Sequence, residues 1–336
     1  MKQTLRLFAL MVVIINCVKA QSPQFSQFYA NPIYSNPALA GDAGTPRLIA
    51  NYRNQWSSVG TAFQTAAFSF DSYAEDFGVG LGIQALHDQR GSALQSDQIA
   101  AQASYLVPFG GQKNYRFIGG LQLAWTSNRW NGNNLTYVSQ FLGSVDPLAM
   151  PGVNQNRISA SIGGVFENVP GTDKDASYWI SGAWHNIGVD DDISIEHQRI
   201  NFQIGTRIPF TRDPFFTNYL GGDGYRESAL TMSVQVRKQG TSRQLDAGFN
   251  ILNSPLILGL WYRGLLFGET RRDALIGTAG WAMGKMLVQA SYDLPVSSLG
   301  FDTGAFEISI WYGIDAIFRF TGKGGQDRKS RKCLKY

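Results

Sequence analysis

Three histidines, His87, His185 and His197, are the side chains best suited to proton transfer or metal binding in this chain of 336 residues. None falls in an H-E-x-x-H or Cys/His spacing that would hold a zinc ion. No G-x-S-x-G elbow and no Walker A loop is present. His87 is followed by Asp88, and one adjacent His-Asp pair is short of a base, its orienting group and a nucleophile. His185 and His197 flank a polar stretch containing Asp190, Asp191 and Asp192. Three successive carboxylates can attract a divalent cation, but their spacing matches no calcium loop, and a solvated acidic loop is the simpler reading. Cys333 has Lys332 and Arg331 beside it, cations that favour a thiolate if the residue is exposed. The residues therefore give no catalytic, metal or cofactor site.

The elements around them come next. Lys2 and Arg6 precede an uncharged apolar run from Leu7 to Ile15, and Val18-Lys19-Ala20 is a small-residue cleavage site. Residues 1–20 read as a secretory signal peptide cut between Ala20 and Gln21. A lipoprotein alternative would acylate Cys17, but Asn16 stands where that signal needs a small residue. Removal of the leader leaves Cys333 as the one cysteine, which excludes an intramolecular disulfide. Of 29 basic residues, three lie in the leader and six in the tail 323–336, so the body carries 20 against 24 acids. The sequence pI of about 9.0 thus comes from the two ends and does not mark a nucleic-acid-binding surface.

From residue 46 onward the chain alternates with period two. Ile200, Phe202 and Ile204 interleave with Asn201 and Gln203; Leu230, Met232, Val234 and Val236 interleave with Thr231, Ser233 and Gln235. Phe306 to Phe320 alternates over about fifteen residues, long for a globular strand. Fourteen strands are expected, near 46–55, 62–72, 77–88, 95–108, 114–127, 157–169, 177–187, 199–211, 227–237, 241–252, 255–263, 273–284, 286–294 and 305–321. Tight connections follow even-numbered strands and long ones follow odd-numbered strands. Gln239-Gly240 and Pro209–Arg226 break that parity. Trp56, Tyr105, Trp125, Tyr178, Trp184 and Tyr262 near strand ends suit interfacial girdles. The expected fold is all-β: a transmembrane antiparallel barrel of about 14 strands over 46–322, in the bacterial outer membrane, with both termini periplasmic. A soluble sandwich or propeller is the competing architecture. The basic tail 323–336 is either a frayed end or a periplasmic contact for an acidic partner.

Residues 21–45 differ from the rest. "QFSQFYANPIYSNPALAG" carries Asn31-Pro32 and Asn36-Pro37 and ends in Gly41. Asn before Pro starts turns, and Pro interrupts strand and helix alike. Yet Phe25, Phe28, Tyr29, Ile33, Tyr34 and Leu39 are too apolar for a solvated linker. A plug inside or under the barrel mouth is expected, with Phe28, Tyr29, Asn31, Pro32, Asn36, Pro37 and Gly41 as its contact residues.

This stretch resembles the N-terminal signature of the PorP/SprF family of outer-membrane proteins of the type IX secretion system. "NYRNQWSSVG" looks like the family's Tyr-Arg-x-Gln-Trp motif, here Tyr52, Arg53, Gln55 and Trp56. "PLILGLWYRG", "ASYDLPVSSLG" with Tyr292, Asp293 and Pro295, and "GAFEISI" look like later family strands. Cys333 resembles the cysteine of the family's Cys-Pro-x-Phe ending, but Cys-Leu-Lys-Tyr matches it only in part. The resemblance implies a non-enzymatic outer-membrane barrel. It would assist secretion or surface attachment of a large adhesin, often a gliding adhesin, through that partner's C-terminal domain, or associate with periplasmic ring or translocon components. Its remaining contact would be outer-membrane lipid. A general diffusion porin is the alternative, since fourteen strands enclose a lumen wide enough for solutes if left empty. A barrel hydrolase using His87 or His185 is a third reading.

Overall fold

In a computed structural model, fourteen antiparallel strands close into one barrel. The structure describes residues 22–314 apart from 57–62, 75–76, 112–113, 133–134, 136–140, 142–151, 169–174, 190–196, 211–227, 265–271 and 297–303. The strands are β1 (Arg47–Gln55), β2 (Phe63–Ala74), β3 (Val79–Arg90), β4 (Leu94–Phe109), β5 (Tyr115–Trp130), β6 (Val153–Asn168) and β7 (Ser177–Ile187). They continue as β8 (Arg199–Pro209), β9 (Ser228–Gln239), β10 (Ser242–Asn253), β11 (Leu256–Gly264), β12 (Arg272–Met283), β13 (Met286–Pro295) and β14 (Ala305–Gly313). Each pairs with its sequence neighbours. β1 and β14 close the seam, from Arg47 opposite Gly313 to Gln55 opposite Ala305. Closure leaves no open sheet edge, which a bilayer requires.

The pleat sorts the residues. Ile200, Phe202 and Ile204 are 49%, 47% and 46% exposed, whereas the intervening Asn201 and Gln203 are buried. Leu121, Leu123, Ile99 and Ile158 are likewise exposed, and Gln122 and Ser161 buried. The apolar face points out and the polar face in, the reverse of a soluble sandwich and the arrangement of a barrel in lipid. Phe109, Tyr115 and Phe166 stack on the outer surface near one rim, with ring centroids 5.6–5.8 Å apart. We call that rim, where β1 begins at Arg47, proximal, and the one where β1 ends at Gln55, distal.

Some strand ends differ from those the alternation suggests. β5 runs on to Trp130 and β6 starts at Val153, so β4, β5 and β6 are each 16 residues long. The distal ends of β5 and β6 carry Asn128, Asn154 and Asn156, and alternation vanishes where a strand rises out of the apolar layer. β14 ends at Gly313. The rest of the expected long run, and the tail with Cys333, lie outside the described residues, as do Ala20, Gln21 and Asp190 to Asp192. Gly240 and Thr241 make the short distal link between β9 and β10, with Gly240 at φ +55°.

Candidate functional site: a filled lumen below a distal vestibule

The lumen is occupied by the chain's own residues 22–45. Asn31 precedes a single helical turn, α1 (Pro32–Ser35), and Asn36 precedes a 3-10 turn, Pro37–Leu39. Proline stands first in each, where its missing N–H is no loss. Asn36 Oδ1 accepts the Ala38 N–H at 2.9 Å, and its amide donates to the carbonyls of Gly164 and Gly182 and to Ser181 Oγ. One side chain thus caps a turn and ties it to β6 and β7.

Apolar contacts fill the space between these polar ties. Phe28 stands edge-on to Trp261 at 5.2 Å, and Tyr29 stacks on the same indole at 5.2 Å. Leu39 and Ala38 pack on Ile118 and Val165; Phe25 packs on Ala67 and Leu86. Barrel glycines make room for the backbone. A Cβ on Gly120 would lie 2.2 Å from Ala38 N, and one on Gly80 would lie 2.0 Å from the Ala40 carbonyl oxygen.

Charged groups hold the plug at both ends. Glu307 on β14 accepts the backbone N–H of Ser26 at 2.6 Å and of Gln27 at 3.1 Å. Ser26 Oγ donates to Asp293 at 2.6 Å. Arg53 reaches Asp293 at 3.0 Å and Glu307 at 3.5 Å, and also contacts Ser26 Oγ. Arg263 bridges Asp293 and Asp246, at 2.9 Å to each. Nearer the proximal rim, Arg47 makes a bidentate pair with Asp71, which also accepts the Gly41 N–H at 2.7 Å. These carboxylates and guanidinium groups are nearly inaccessible to solvent. Such buried pairs gain little net stability, but breaking one strands a charge and costs about 3–5 kcal/mol. They fix where the segment sits.

The plug also has a direction. Ser22 is bonded to Gln239 and Arg237 at the distal end of β9, and Ala40 and Gly41 lie against Ser104, Ser72 and Gly80 at the proximal end. Ile314 donates to the Pro46 carbonyl, also proximal. Ser22 and Ile314 therefore lie at opposite rims, and the termini themselves lie outside the described residues. Besides the fourteen crossings through the wall, the chain makes a fifteenth through the lumen.

Above the plug the lumen widens into a distal vestibule of about 1350 Å³, floored by Ser22–Gln24. Its lining carries Arg53, Arg90, Lys238 and Arg243 against Asp88 and Asp273. Trp56, at φ +58°, stands edge-on to Phe63 at its mouth.

These arrangements fit the comparison with known families. The family model "Type IX secretion system membrane protein PorP/SprF" matches residues 17–312. The chain belongs to this family. No curated protein matches it as a relative. Among solved structures it is similar to the outer membrane protein Omp33 of Acinetobacter baumannii, at 6% identity, covering 80% of this chain and 98% of that one, with a TM-score of 0.41. A KdgM porin in complex with disordered oligogalacturonate gives 10%, 80%, 99% and 0.40. BamA from Haemophilus ducreyi lacking POTRA domains 1–3 gives 10%, 81%, 70% and 0.42.

Within this PorP/SprF member the motif residues divide by direction. Arg53 and Asp293 point inward and meet on Ser26; Gln55 accepts from Arg53 at 3.4 Å. Tyr52 and Tyr292 are exposed on the outer surface, and Pro295 ends β13. Phe28, Tyr29, Asn31, Pro32, Asn36, Pro37 and Gly41 are all buried in the lumen. The histidines do not assemble. His87 points outward and pairs with Asp97 at 2.6 Å, while Asp88, one residue on, points inward to Thr65 and Arg90. His185 Nε2 lies 3.1 Å from the Ser35 carbonyl, and the His197 carbonyl accepts from Asn186 and Gln239. Arg47, Asp71, Asp246, Arg263 and Glu307 went unselected in the sequence. Their signal was a charge at an inward position of a membrane strand, where only a partner inside the lumen can satisfy it.

Proposed function

We propose that this family member is a closed outer-membrane docking component of type IX secretion, which assists secretion or surface attachment of a large adhesin through that partner's C-terminal domain. The observation that carries this reading is the filled lumen. A diffusion porin needs a continuous water path, whereas here residues 22–45 cross the barrel and are bonded to at least eight strands. A barrel that cannot conduct is left with its surfaces to work with.

The proposed orientation puts the distal rim outermost, because connections 131–152, 188–198 and 265–271 all join distal strand ends, against one long proximal connection, 210–227. The leader 1–20 would be cut between Ala20 and Gln21, and the tail 323–336 would reach the periplasm, where its six cations suit an acidic ring or translocon component. The test has two parts. Reconstituted barrels in a planar bilayer should be nearly silent, and a gentle-detergent pull-down from native outer membranes should bring down a large surface protein. Steady conductance from a barrel that comes down alone would replace this reading with the porin.

A further inference from the structure

One hairpin carries two outward cations that nothing among the described residues neutralises. Along β9 the inward positions are Gln235, Arg237 and Gln239, and the last two are bonded to Ser22 in the lumen. The pleat therefore turns Val234, Val236 and Lys238 outward, and all three are exposed. Gly240 and Thr241 reverse the chain, and the register sets Arg243 directly opposite Lys238. Arg243 is exposed as well, and neither cation has an ion pair or hydrogen bond among the described residues. On the other side of Lys238 stands Ile200, and beyond it Trp184. One rung towards the proximal rim, Val236 faces Leu245 and Phe202, and apolar rows continue down the hairpin to Leu230 opposite Ile251. From Lys238 to Ser228 the strand covers about 33 Å, or about 25 Å of depth at a tilt of about 40°, the height of an outer-membrane apolar band. Lys238 and Arg243 thus stand at the distal edge of the lipid-facing belt, level with head groups. Like charges directly opposite each other on one face destabilise a strand pair. Elsewhere on the outer surface Asp97 sits between Arg129 and His87 and removes that cost. On β9 and β10 no described acid does so.

We infer that Lys238 and Arg243 clamp the phosphate monoester of a lipid head group in the distal leaflet. A phosphomonoester carries about −1.5 to −2 charges near neutral pH, and two adjacent cations match it. The ammonium and the guanidinium fork both keep all their donors for its oxygens. The apolar rows decide for a lipid over a soluble anion. Val236, Leu245 and Phe202 lie one rung below the cations, so one amphiphile can place its phosphate on the pair and lay its acyl chains along the same strands. A free phosphate ion would gain only the charge, at an exposed site that salt screens. Trp184, in the same row, donates its indole N–H to Gln198 at 3.0 Å and suits the interface. At the proximal edge of the hairpin Ser228 faces Asn253, both uncharged, so the clamp serves one leaflet. The hairpin tip also borders the vestibule mouth, which leaves the pair open from outside.

The clamp does not depend on the docking reading above. The probes are dioleoyl phosphatidic acid, a phosphomonoester, and dioleoyl phosphatidylcholine, which has the same chains and no net charge. Each is titrated into full-length barrel in an uncharged maltoside detergent, and native mass spectrometry reads the lipid retained. Phosphatidic acid should bind at least tenfold tighter than phosphatidylcholine (about 1.4 kcal/mol). Lys238→Gln together with Arg243→Gln should abolish that discrimination, and either change alone should reduce it. Both positions are exposed, so the doubly substituted barrel should still migrate as folded in an unheated gel. Arg129→Gln, which removes an outward cation already paired with Asp97, should leave the discrimination intact. An excess of inorganic phosphate should not displace the lipid. Equal binding of the two lipids by the native barrel, including no binding by either, overturns the clamp; carboxylates of the chain's own Asp190 to Asp192 occupying the pair would give that result. Discrimination that survives the double substitution also overturns it, and displacement by inorganic phosphate replaces it with a soluble-anion site.

Discussion

Replacing Glu307 by alanine removes a carboxylate that accepts two plug amides, those of Ser26 and Gln27 at 2.6 and 3.1 Å. Both residues are almost fully buried, so water cannot simply take over. Two orphaned donors at about 1–3 kcal/mol each lower the cost of opening this arm by about 2–6 kcal/mol. Arg53 keeps Asp293 at 3.0 Å and so is not left as an unpaired charge, which holds the loss near that range. At about 1.4 kcal/mol per decade, amide hydrogen exchange at Ser26 and Gln27 should accelerate roughly 30-fold at the lower end and more than 10⁴-fold at the upper. Glu307→Gln retains one carbonyl oxygen and should fall between. The amides of Ala38 and Gly41, held by Asn36 and Asp71, serve as internal references and should slow exchange as before. Unchanged protection at Ser26 and Gln27 in Glu307→Ala would refute the argument that this carboxylate seats the arm.

Gly120→Val should unseat the second half of the plug, because backbone atoms 2.2–2.5 Å from the new Cβ cannot yield like a flexible side chain; bilayer recordings should change from silent to steadily conducting. Deleting residues 24–41 should give the same open channel in a barrel that still inserts. Arg47→Ala strands Asp71 at 0% side-chain exposure, and gel-shift unfolding should report a loss of about 3–5 kcal/mol. Phe28→Ala empties the space beside Trp261, with an expected cost of about 3–5 kcal/mol in the same assay.

Sequence and structure agree where one residue's neighbours decide its place. Ile200, Phe202 and Ile204 announce a strand and its lipid face because period two is local. Asn31-Pro32 and Asn36-Pro37 announce turns for the same reason. Partners fixed by register are a different matter. Arg53 and Asp293 are 240 residues apart, and only closure of β1 on β14 brings them onto Ser26. The adjacent pair His87-Asp88 looked like chemistry and is divided by the pleat, since successive strand residues point to opposite faces. The polar distal ends of β5 and β6 give no periodic signal, because alternation is written by lipid on one side and ends where the lipid does.

The direction of the plug constrains how the molecule can be made. Ser22 sits at the distal end of the lumen, bonded to Gln239 and Arg237. In the proposed orientation that end faces away from the cell. A leader still held in the inner membrane would have to run back down a lumen already filled by residues 22–45. With the proposed cleavage between Ala20 and Gln21, the cut would come before β14 meets β1, and the freed end would be folded in while the seam is open. Glu307, on the last strand, and Arg53, on the first, both grip Ser26. The plug is then a template on which the seam closes, and a barrel assembled without residues 22–45 would have to find that register unaided.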